Sequence, residues 1–441
     1  MVYFFITDSI TTALLIALLM VCIYYFYRVW KNNIFLRIGI PGPARIPFLG
    51  EIINVTRKGM RTNDTDLIRK YGKVVGIHEG TTPTILLADP DLLRNVLIRD
   101  SHVFINRRSI DGVAGPFEHG LTVLKDDQWK NARSIVSPTF SSAKLKAMYT
   151  LMNETIISPR LAGYLGKKGY SILPKDAIDY VSTIVNHVIS RRRQHLETRN
   201  DFIQMMIAHE QESKDDELTS EHTETKHPQQ QRGTLKKTLT DKEIFSQGLV
   251  FLVAGYETTS ALLSFFFYFM AIEPVVQEKV YEEIQQELGD DEITHEKLSQ
   301  LQYLDMAINE TLRMYPPFIR FDRVASQDYQ LGDYHIPKGT IINVPVYSIH
   351  HDAEYWPEPE KFIPERFSSA EKAKRHPVTF LPFGDGPRNC IGMRFALLEA
   401  KIAIAKTLRV VEFQKCEKTE VPLGLGKVAV LTPKNGIWVR V

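Results

Sequence analysis

Residues 382–392 read PFGDGPRNCIG and contain Cys390, one of three cysteines in the chain. Three glycines in this stretch remove side chains from around the sulfur, so backbone and a flat ligand can approach it closely. The next run, MRFALLEAKIAIAKTL (Met393–Leu408), has helical periodicity, which places the sulfur just before a helix N-terminus. Backbone N–H groups and the helix dipole favour a thiolate there. The stretch therefore suits a metal ligand, against the alternative of a buried structural thiol.

A single thiolate without a CxxC or CxH companion cannot build a tetrahedral zinc site by itself. It can be the one axial ligand of a haem, because the porphyrin supplies the other four donors. The other cysteines, Cys22 and Cys416, form no closely spaced framework with it. This distribution favours a reducing compartment over a disulfide scaffold.

Phe383, Gly386, Arg388, Cys390 and Gly392 fit the pattern F-x-x-G-x-R-x-C-x-G, with five fixed positions in ten residues. On this motif the chain resembles the cytochrome P450 superfamily, the haem-thiolate monooxygenases, from about residue 40 to residue 441. The resemblance implies a haem b cofactor (iron protoporphyrin IX), with Cys390 as the proximal iron ligand and Arg388 facing a haem propionate. Thiolate donation to the iron favours O–O bond cleavage.

Further cofactor contacts are implied by the same resemblance. The run WKNAR places Trp129 and Arg133 four residues apart, which matches the family's propionate-holding helix, where a cationic fork meets a carboxylate. Arg107 and Arg323 are expected as additional propionate contacts.

The run AGYETT (residues 254–259) bears on the reaction class. Gly255 costs about 1 kcal/mol relative to alanine inside a helix, so a polar patch alone does not explain it. With Ala254, it is expected to open the helix over the haem. Thr258 beside Glu257 offers a proton relay into an apolar pocket. Family members that isomerise or dehydrate peroxides usually lack this acid–alcohol pair, so the run favours a monooxygenase that activates O₂.

The run ETLR places Glu310 and Arg313 on one helix face, a spacing typical of a weak surface ion pair. About fifty residues later stands PERF (Pro364–Phe367), which contains Arg366. The resemblance implies that Glu310, Arg313 and Arg366 lock together behind the haem, with a role in folding rather than in catalysis.

The runs FLVAGYETTS, SPTFSSAKLKAM and YWPEPEKFIPERF are most similar to the microsomal group that contains the animal drug-metabolising enzymes of the third-subfamily type and their insect detoxification relatives. That group oxidises varied lipophilic compounds. Segments 109–121, 251–258 and 318–321 are expected to line the substrate pocket. Their apolar side chains fit a plain core equally well; they are Phe117, Phe251, Phe318, Ile319 and Phe321.

The N-terminus predicts a membrane anchor. SITTALLIALLMVCIYYFY (residues 9–27) has no charge for 19 residues, and no later segment matches it. Arg28, Lys31 and Arg37 follow it, so the positive-inside rule places the rest of the chain in the cytosol. The resemblance to the microsomal group implies the endoplasmic reticulum membrane. A cleaved signal peptide is the competing interpretation, but its basic residues normally come first.

The predicted fold is mainly α with small β-sheets (α+β). Residues 1–38 are expected to form the anchor, 39–50 a Pro-rich hinge, and 51–441 the catalytic domain, with a polar surface linker at 209–240. Strands are predicted at 74–79 and 84–88 around GTTP, and at 428–431 and 437–441. Asp89 and Thr240 are predicted N-caps, the latter in a capping box with Glu243.

The chain is shorter than the family pattern by roughly sixty residues, judged against the usual size of one large core. The resemblance implies that two helices of the family are absent between about residues 152 and 160. The expected partners are NADPH–cytochrome P450 reductase and cytochrome b5, a lipophilic small molecule and membrane lipid; a net charge of +2 gives no reason to expect nucleic acid. Three hypotheses stay open: a monooxygenase, an isomerase or dehydratase, and a truncated inactive variant.

Overall fold

The computed structural model of the protein describes residues 2–31, 34–108, 117–140, 175–199, 201–210, 239–289, 291–427 and 430–441. Helices predominate, with small sheets beside them, which confirms the predicted class. The described helices are Val2–Lys31, Ile34–Arg37, Ile52–Lys58, Met60–Tyr71, Pro90–Arg94, Asp126–Val136, Lys175–Arg193, 202–210, Asp241–Ile272, Pro274–Leu288, His295–Leu298, Gln302–Met314, Val346–His350, Ser369–Ala373 and Met393–Leu408. The predicted loss of two helices near 152–160 lies outside the described residues.

The strands of the described chain form two sheets. They are β1 (Val74–Glu79), β2 (Thr82–Leu87), β3 (Phe321–Val324), β4 (Tyr329–Leu331), β5 (Tyr334–Ile336) and β6 (Ile341–Val344). The larger sheet has the order β1-β2-β6-β3, in which β2 and β6 are parallel and the other pairs antiparallel. The first hairpin was predicted, but β2 begins two residues earlier than expected. Its turn needs only Gly80 and Thr81, because Gly80 adopts a positive φ of 63°.

The helix Asp241–Ile272, here called the central helix, organises the largest hydrophobic core. Thr240 and Glu243 form the predicted capping box at its start, which satisfies free N–H groups of the first turn. Its second half buries Phe265, Phe266 and Phe269 against the ion-pair helix (Gln302–Met314) and the cysteine helix (Met393–Leu408). It therefore fixes the relative positions of the two helices that carry the other motifs.

The prediction that no later segment matches the uncharged run 9–27 stays a prediction, since the central helix carries Glu257 within its apolar stretch. Among the described helices, the central helix is the one long and apolar enough to cross a membrane, with a mean hydropathy of 1.5. The shorter apolar part of the N-terminal helix is Thr11–Tyr25. The core contacts of the central helix explain its apolar composition without a membrane, because a helix that is apolar on most sides is typical of a protein interior.

The segment after the anchor packs against β1. The Gly76 N–H donates to the Pro41 carbonyl (2.8 Å), and the Glu51 N–H donates to the His78 carbonyl (2.7 Å). A Cβ atom at Gly50 would lie 1.9 Å from the His78 carbonyl oxygen, so only glycine permits this approach. Residues 41–51 thus contact the body along the edge of the sheet.

Two other predicted segments differ from expectation. Residues 430–441 make isolated bridges, such as Val430 with Phe318, instead of the expected hairpin strands, because their partners lie in other loops; residues 428 and 429 lie outside the description. Most of the polar tract 209–240 lies outside it as well. At its ends, His209 belongs to the helix 202–210 and Leu239 is buried.

Candidate active site

Residues 382–392, the cysteine loop, form a tight turn ahead of the cysteine helix. The Cys390 N–H donates to the Phe383 carbonyl (2.9 Å), which closes the loop, and Gly392 is the N-cap of the helix. Gly386 has a φ of 74°, and a Cβ atom there would lie 1.8 Å from the Leu97 carbonyl oxygen. The glycine is therefore required both by its conformation and by the close approach of a neighbouring backbone.

The Cys390 residue is exposed although protein surrounds it on most sides. Desolvation raises the pKa of its thiol, while the Gly392 N–H and the guanidinium groups of Arg133 and Arg107 act in the opposite direction. These cations and the N–H would stabilise a thiolate once a metal ion replaced the proton. The loop thus presents its sulfur to a ligand.

Four arginines gather beside Cys390: Arg107, Arg133, Arg323 and Arg388. Desolvation lowers the pKa of every one of them, and the pKa falls to about 9 for Arg323 and for Arg388. The arginines also repel one another, since Arg107 lowers the pKa of the other three. Within the described chain, the buried Arg107 Nε atom has no hydrogen-bond partner. Asp322 and Asp385 offset part of this positive charge, and the two propionates of haem b would offset more of it.

Individual contacts of these arginines show how the cluster is held. Arg133 donates to the Asn389 carbonyl (3.1 Å) and to its side-chain oxygen (3.0 Å), which ties the helix Asp126–Val136 to the cysteine loop. Arg323, on β3, donates to the Asp322 carbonyl (2.8 Å). Strand, helix and loop therefore all contribute to one cationic cluster.

The contacts of Arg388 in the described chain are all with other protein groups. Its guanidinium donates to the carbonyls of Ile105 and Leu124, both at 2.8 Å, and lies 4.0 Å from the centre of the Trp129 ring. Arg388 thus binds the chain between β2 and the helix Asp126–Val136. Trp129, which is 5% exposed, supports this guanidinium instead of forming an open contact surface.

The run AGYETT lies in the middle of the central helix. The Thr258 hydroxyl donates to the Ala254 carbonyl one turn earlier (2.7 Å), and Glu257 is exposed. A Cβ atom at Gly255 would meet no atom within 4 Å, so the space beside it is open in the described chain. The helix therefore offers a hydroxyl and a nearby acid, but the hydroxyl is engaged with its own helix rather than with Glu257.

One acid near this run was not singled out from the sequence. Glu399 on the cysteine helix lies 3.5 Å from the Thr259 hydroxyl, which donates to it, and its burial raises the pKa of the carboxyl group. The only sequence signal was an acid within the apolar run MRFALLEAK. The hydrogen bond connects the central helix to the cysteine helix directly.

The predicted ion-pair lock is present and fully buried. Arg313 makes two bonds to the Glu310 carboxylate (2.7 and 2.9 Å), and both side chains are 0% exposed. Arg366 approaches the same carboxylate at 3.4 Å, and the Ile363 N–H donates to it at 2.9 Å. The ETLR pair is therefore not a surface pair.

The candidate substrate-lining residues divide into two groups. Ile319 is 2% exposed in the largest core, and Phe251 packs edge-on against Phe140 and Phe202, so both serve the core. Phe318 is 47% exposed. Phe321 lies beside the cysteine loop, since a Cβ atom added at Gly384 would lie 3.9 Å from its ring. Residues 109–116 lie outside the described chain.

A cavity of about 340 Å³ lies next to Phe321. A charged network borders it: Arg108 bonds Glu79 (2.5 Å) and Asp322 (2.6 Å), and Arg320 pairs with Asp64. Sequence reasoning missed this network, because its bonded partners are separated by up to 256 positions.

Comparison with known proteins agrees with this geometry. A sequence model described as Cytochrome P450 matches residues 40–158 and 168–440. Cytochrome P450 3A31 of Mesocricetus auratus is 34% identical over 506 aligned positions, covering 98% of this chain and 97% of that protein. Cytochrome P450 3A9 of Rattus norvegicus (33%) and cytochrome P450 3A5 of Homo sapiens (34%) each align over 507 positions with the same coverage.

The length of these alignments bears on the shortened region. The 506 aligned positions exceed the 441 residues of this chain, so at least 65 positions of the alignment are gaps in it. The family match is also interrupted, at residues 159–167. Together, the family match, the relatives and the cysteine loop show that this chain belongs to the cytochrome P450 superfamily of haem b monooxygenases and is similar to its 3A group.

Proposed function

We propose that this chain inserts one atom of O₂ into a lipophilic organic substrate, of xenobiotic, steroid or fatty-acid type. Electrons come from NADPH through NADPH–cytochrome P450 reductase, with cytochrome b5 as a second donor. The observation that carries this proposal is the arginine cluster beside Cys390, because its excess positive charge and the single thiol match the propionates and iron of haem b.

The cofactor contacts follow from the site. When bound, the haem supplies the iron at which O₂ is activated and its O–O bond is cleaved. Cys390 would bind the iron through its thiolate, while Phe383 and Gly392 keep the loop in place. Ala254 and Gly255 would contact the haem. The propionates would be held by Arg107, Arg133, Arg323 and Arg388, with Trp129 beside them.

Proton delivery is assigned to Thr258 and Glu257. The Thr258 hydroxyl donates to the Ala254 carbonyl, so its oxygen lone pairs are free to accept a hydrogen bond from a water molecule. Glu257 is exposed and can exchange protons with solvent. A water between the two would complete the relay, and Gly255 leaves space for it.

The chain that follows the shortened region still packs against the central helix. Val185 and Ile189 of the helix Lys175–Arg193 are buried in one cluster with Ile244 of the central helix. Arg193 pairs with Asp241 in the first turn of that helix (2.7 Å). These contacts support a folded, haem-binding protein over a truncated inactive variant.

A membrane location is part of the proposal. Residues 11–25 form an apolar helix with exposed leucines, and Tyr25 stacks on the exposed Phe48 of the body at 5.3 Å between ring centres. Basic residues follow the helix, which favours a single anchor in the endoplasmic reticulum membrane with the catalytic domain in the cytosol.

The test is reconstitution of the purified, haem-loaded protein with reductase, NADPH and lipophilic test compounds. We expect NADPH-dependent O₂ consumption with formation of a hydroxylated product. Conversion of an organic hydroperoxide without O₂ consumption would support an isomerase or dehydratase instead. Thr258→Ala should leave O₂ consumption but reduce product per O₂ by roughly tenfold or more. Thr259→Val is the matched control, since its hydroxyl faces Glu399, and it should keep the coupling.

A further inference from the structure

His350 connects the buried ion-pair lock to the cysteine loop. It ends the helix Val346–His350, is 0% exposed, and lies next to Arg313 of the ion-pair helix. The Arg313 guanidinium donates to the His350 carbonyl (2.9 Å). In return, His350 Nδ1 lies 3.1 Å from the Arg313 carbonyl oxygen. The two residues are thus bonded in both directions.

The other ring nitrogen of His350 bonds the chain that leads into the cysteine loop. The Leu381 N–H donates to His350 Nε2 at 2.8 Å. A backbone N–H can only donate, so Nε2 must be the acceptor and the proton of the neutral ring lies on Nδ1. Nδ1 then donates to the Arg313 carbonyl. Each nitrogen has one partner, and a neutral imidazole satisfies both.

From Leu381 the hydrogen bonds continue to the sulfur-bearing residue. The Gly384 N–H donates to the Leu381 carbonyl (3.1 Å), and the Cys390 N–H donates to the Phe383 carbonyl (2.9 Å). Leu381 is 1% exposed, so water does not compete for its N–H. The hydrogen bond from the Leu381 N–H to His350 therefore fixes the backbone immediately before the cysteine loop.

The surroundings of His350 keep its ring neutral. Desolvation lowers its pKa well below the usual value, and the neighbouring His351 and Arg313 act in the same direction. The ring stacks on Phe380 at 5.4 Å between centres. A protonated ring would direct an Nε2–H at the Leu381 N–H, so the bond requires the neutral form.

We propose that His350 is a positioning residue for haem ligation: it fixes the backbone at Leu381 and thereby holds Cys390 where its thiolate stays bound to the iron. The inference rests on the proposed function in one respect, namely that Cys390 is the iron ligand. The residue touches neither the haem nor the substrate, so its effect is transmitted through the loop.

The test compares three variants of the full-length, haem-loaded protein: His350→Phe, His350→Gln and His351→Phe. Phenylalanine keeps a ring but no hydrogen bond, whereas glutamine keeps one donor and one acceptor. His351 is the control, because it is half-buried next to His350 but its ring bonds the Tyr347 carbonyl (2.9 Å) and not the loop. The readout is the rate at which the reduced, carbon monoxide-bound Soret band moves from about 450 nm to about 420 nm on mild warming.

We expect His350→Phe to convert about tenfold faster than wild type, as the loss of a buried hydrogen bond implies. His350→Gln should stay within about threefold of wild type, and His351→Phe should convert no faster even if it unfolds at a lower temperature. Equal rates for His350→Phe and His351→Phe, or a His350→Gln variant as fast as His350→Phe, would overturn the proposal.

If His350→Phe yields no haem-loaded protein, amide hydrogen exchange at Leu381 decides the question. The proposal is supported if the Leu381 amide exchanges as slowly as the core amides in both wild type and His350→Gln. Rapid exchange of this amide in wild type overturns it. A wild-type protein without any band near 450 nm would refute thiolate ligation instead, while the exchange measurement would still test the bond.

Discussion

The Glu310–Arg313 pair provides a quantitative test of the packing behind the cysteine loop. Glu310 accepts two bonds from Arg313 and one from the Ile363 N–H, and both charged side chains are completely buried. Glu310→Ala leaves the Arg313 guanidinium with carbonyl partners only, at His350 and Lys361. Removing one partner of such a pair costs about 3–5 kcal/mol. The ratio of unfolded to folded protein should then rise by a factor of roughly 10² to 10⁴.

The assay is urea unfolding of the haem-loaded protein, followed by tryptophan fluorescence and by the Soret band. Glu371→Ala is the matched control, since Glu371 and Lys374 have the same three-residue spacing but lie on the surface. We expect no measurable change for that variant. A Glu310→Ala protein that unfolds at the same urea concentration as Glu371→Ala would refute the assignment of Glu310 to a buried structural lock.

Further predictions concern pH, the loop and the relay. Desolvation lowers the pKa of His78 to about 4 and of His351 to about 3, so both stay neutral in the fold while the unfolded chain binds protons below pH 6.5. Stability should therefore fall as the pH drops below about 6.5, by about 1.4 kcal/mol per pH unit for each histidine, measured by urea unfolding at several pH values. His78→Phe should remove its share of that slope, and an unchanged slope would contradict the assignment. Gly386→Ala should prevent haem incorporation, measured as the ratio of Soret to protein absorbance, because the new Cβ atom meets the Leu97 carbonyl at a positive φ. The Cβ atom added by Gly255→Ala would contact no atom within 4 Å, so this variant should keep the haem. It should change the amount of product formed per O₂ consumed.

Local patterns predicted those parts of the fold and site that depend on neighbours in sequence. The capping box at Thr240 and the N-cap at Asp89 involve residues at most three positions apart, and both formed as expected. The tight turn of the cysteine loop could be anticipated from its glycines. Such features follow from backbone geometry alone, so one sequence is sufficient to recognise them.

Contacts between segments that are distant in sequence could not be predicted from local patterns. His350 bonds Leu381 across 31 positions, and Arg388 reaches Ile105 across 283. No spacing rule relates such pairs, because their proximity is decided by the packing of whole helices and sheets. The same cause acts at the C-terminus: the described residues 430–441 pair with loops from elsewhere in the chain instead of with each other, which overrides a local turn signal.

The most direct test of the central claim is the reduced, carbon monoxide-bound difference spectrum of the purified full-length protein. If Cys390 is a thiolate ligand held by the arginine cluster and the cysteine loop, the Soret band lies near 450 nm, and Cys390→Ser abolishes it. A haem-loaded protein whose band lies only near 420 nm, or whose 450 nm band survives Cys390→Ser, would contradict the account.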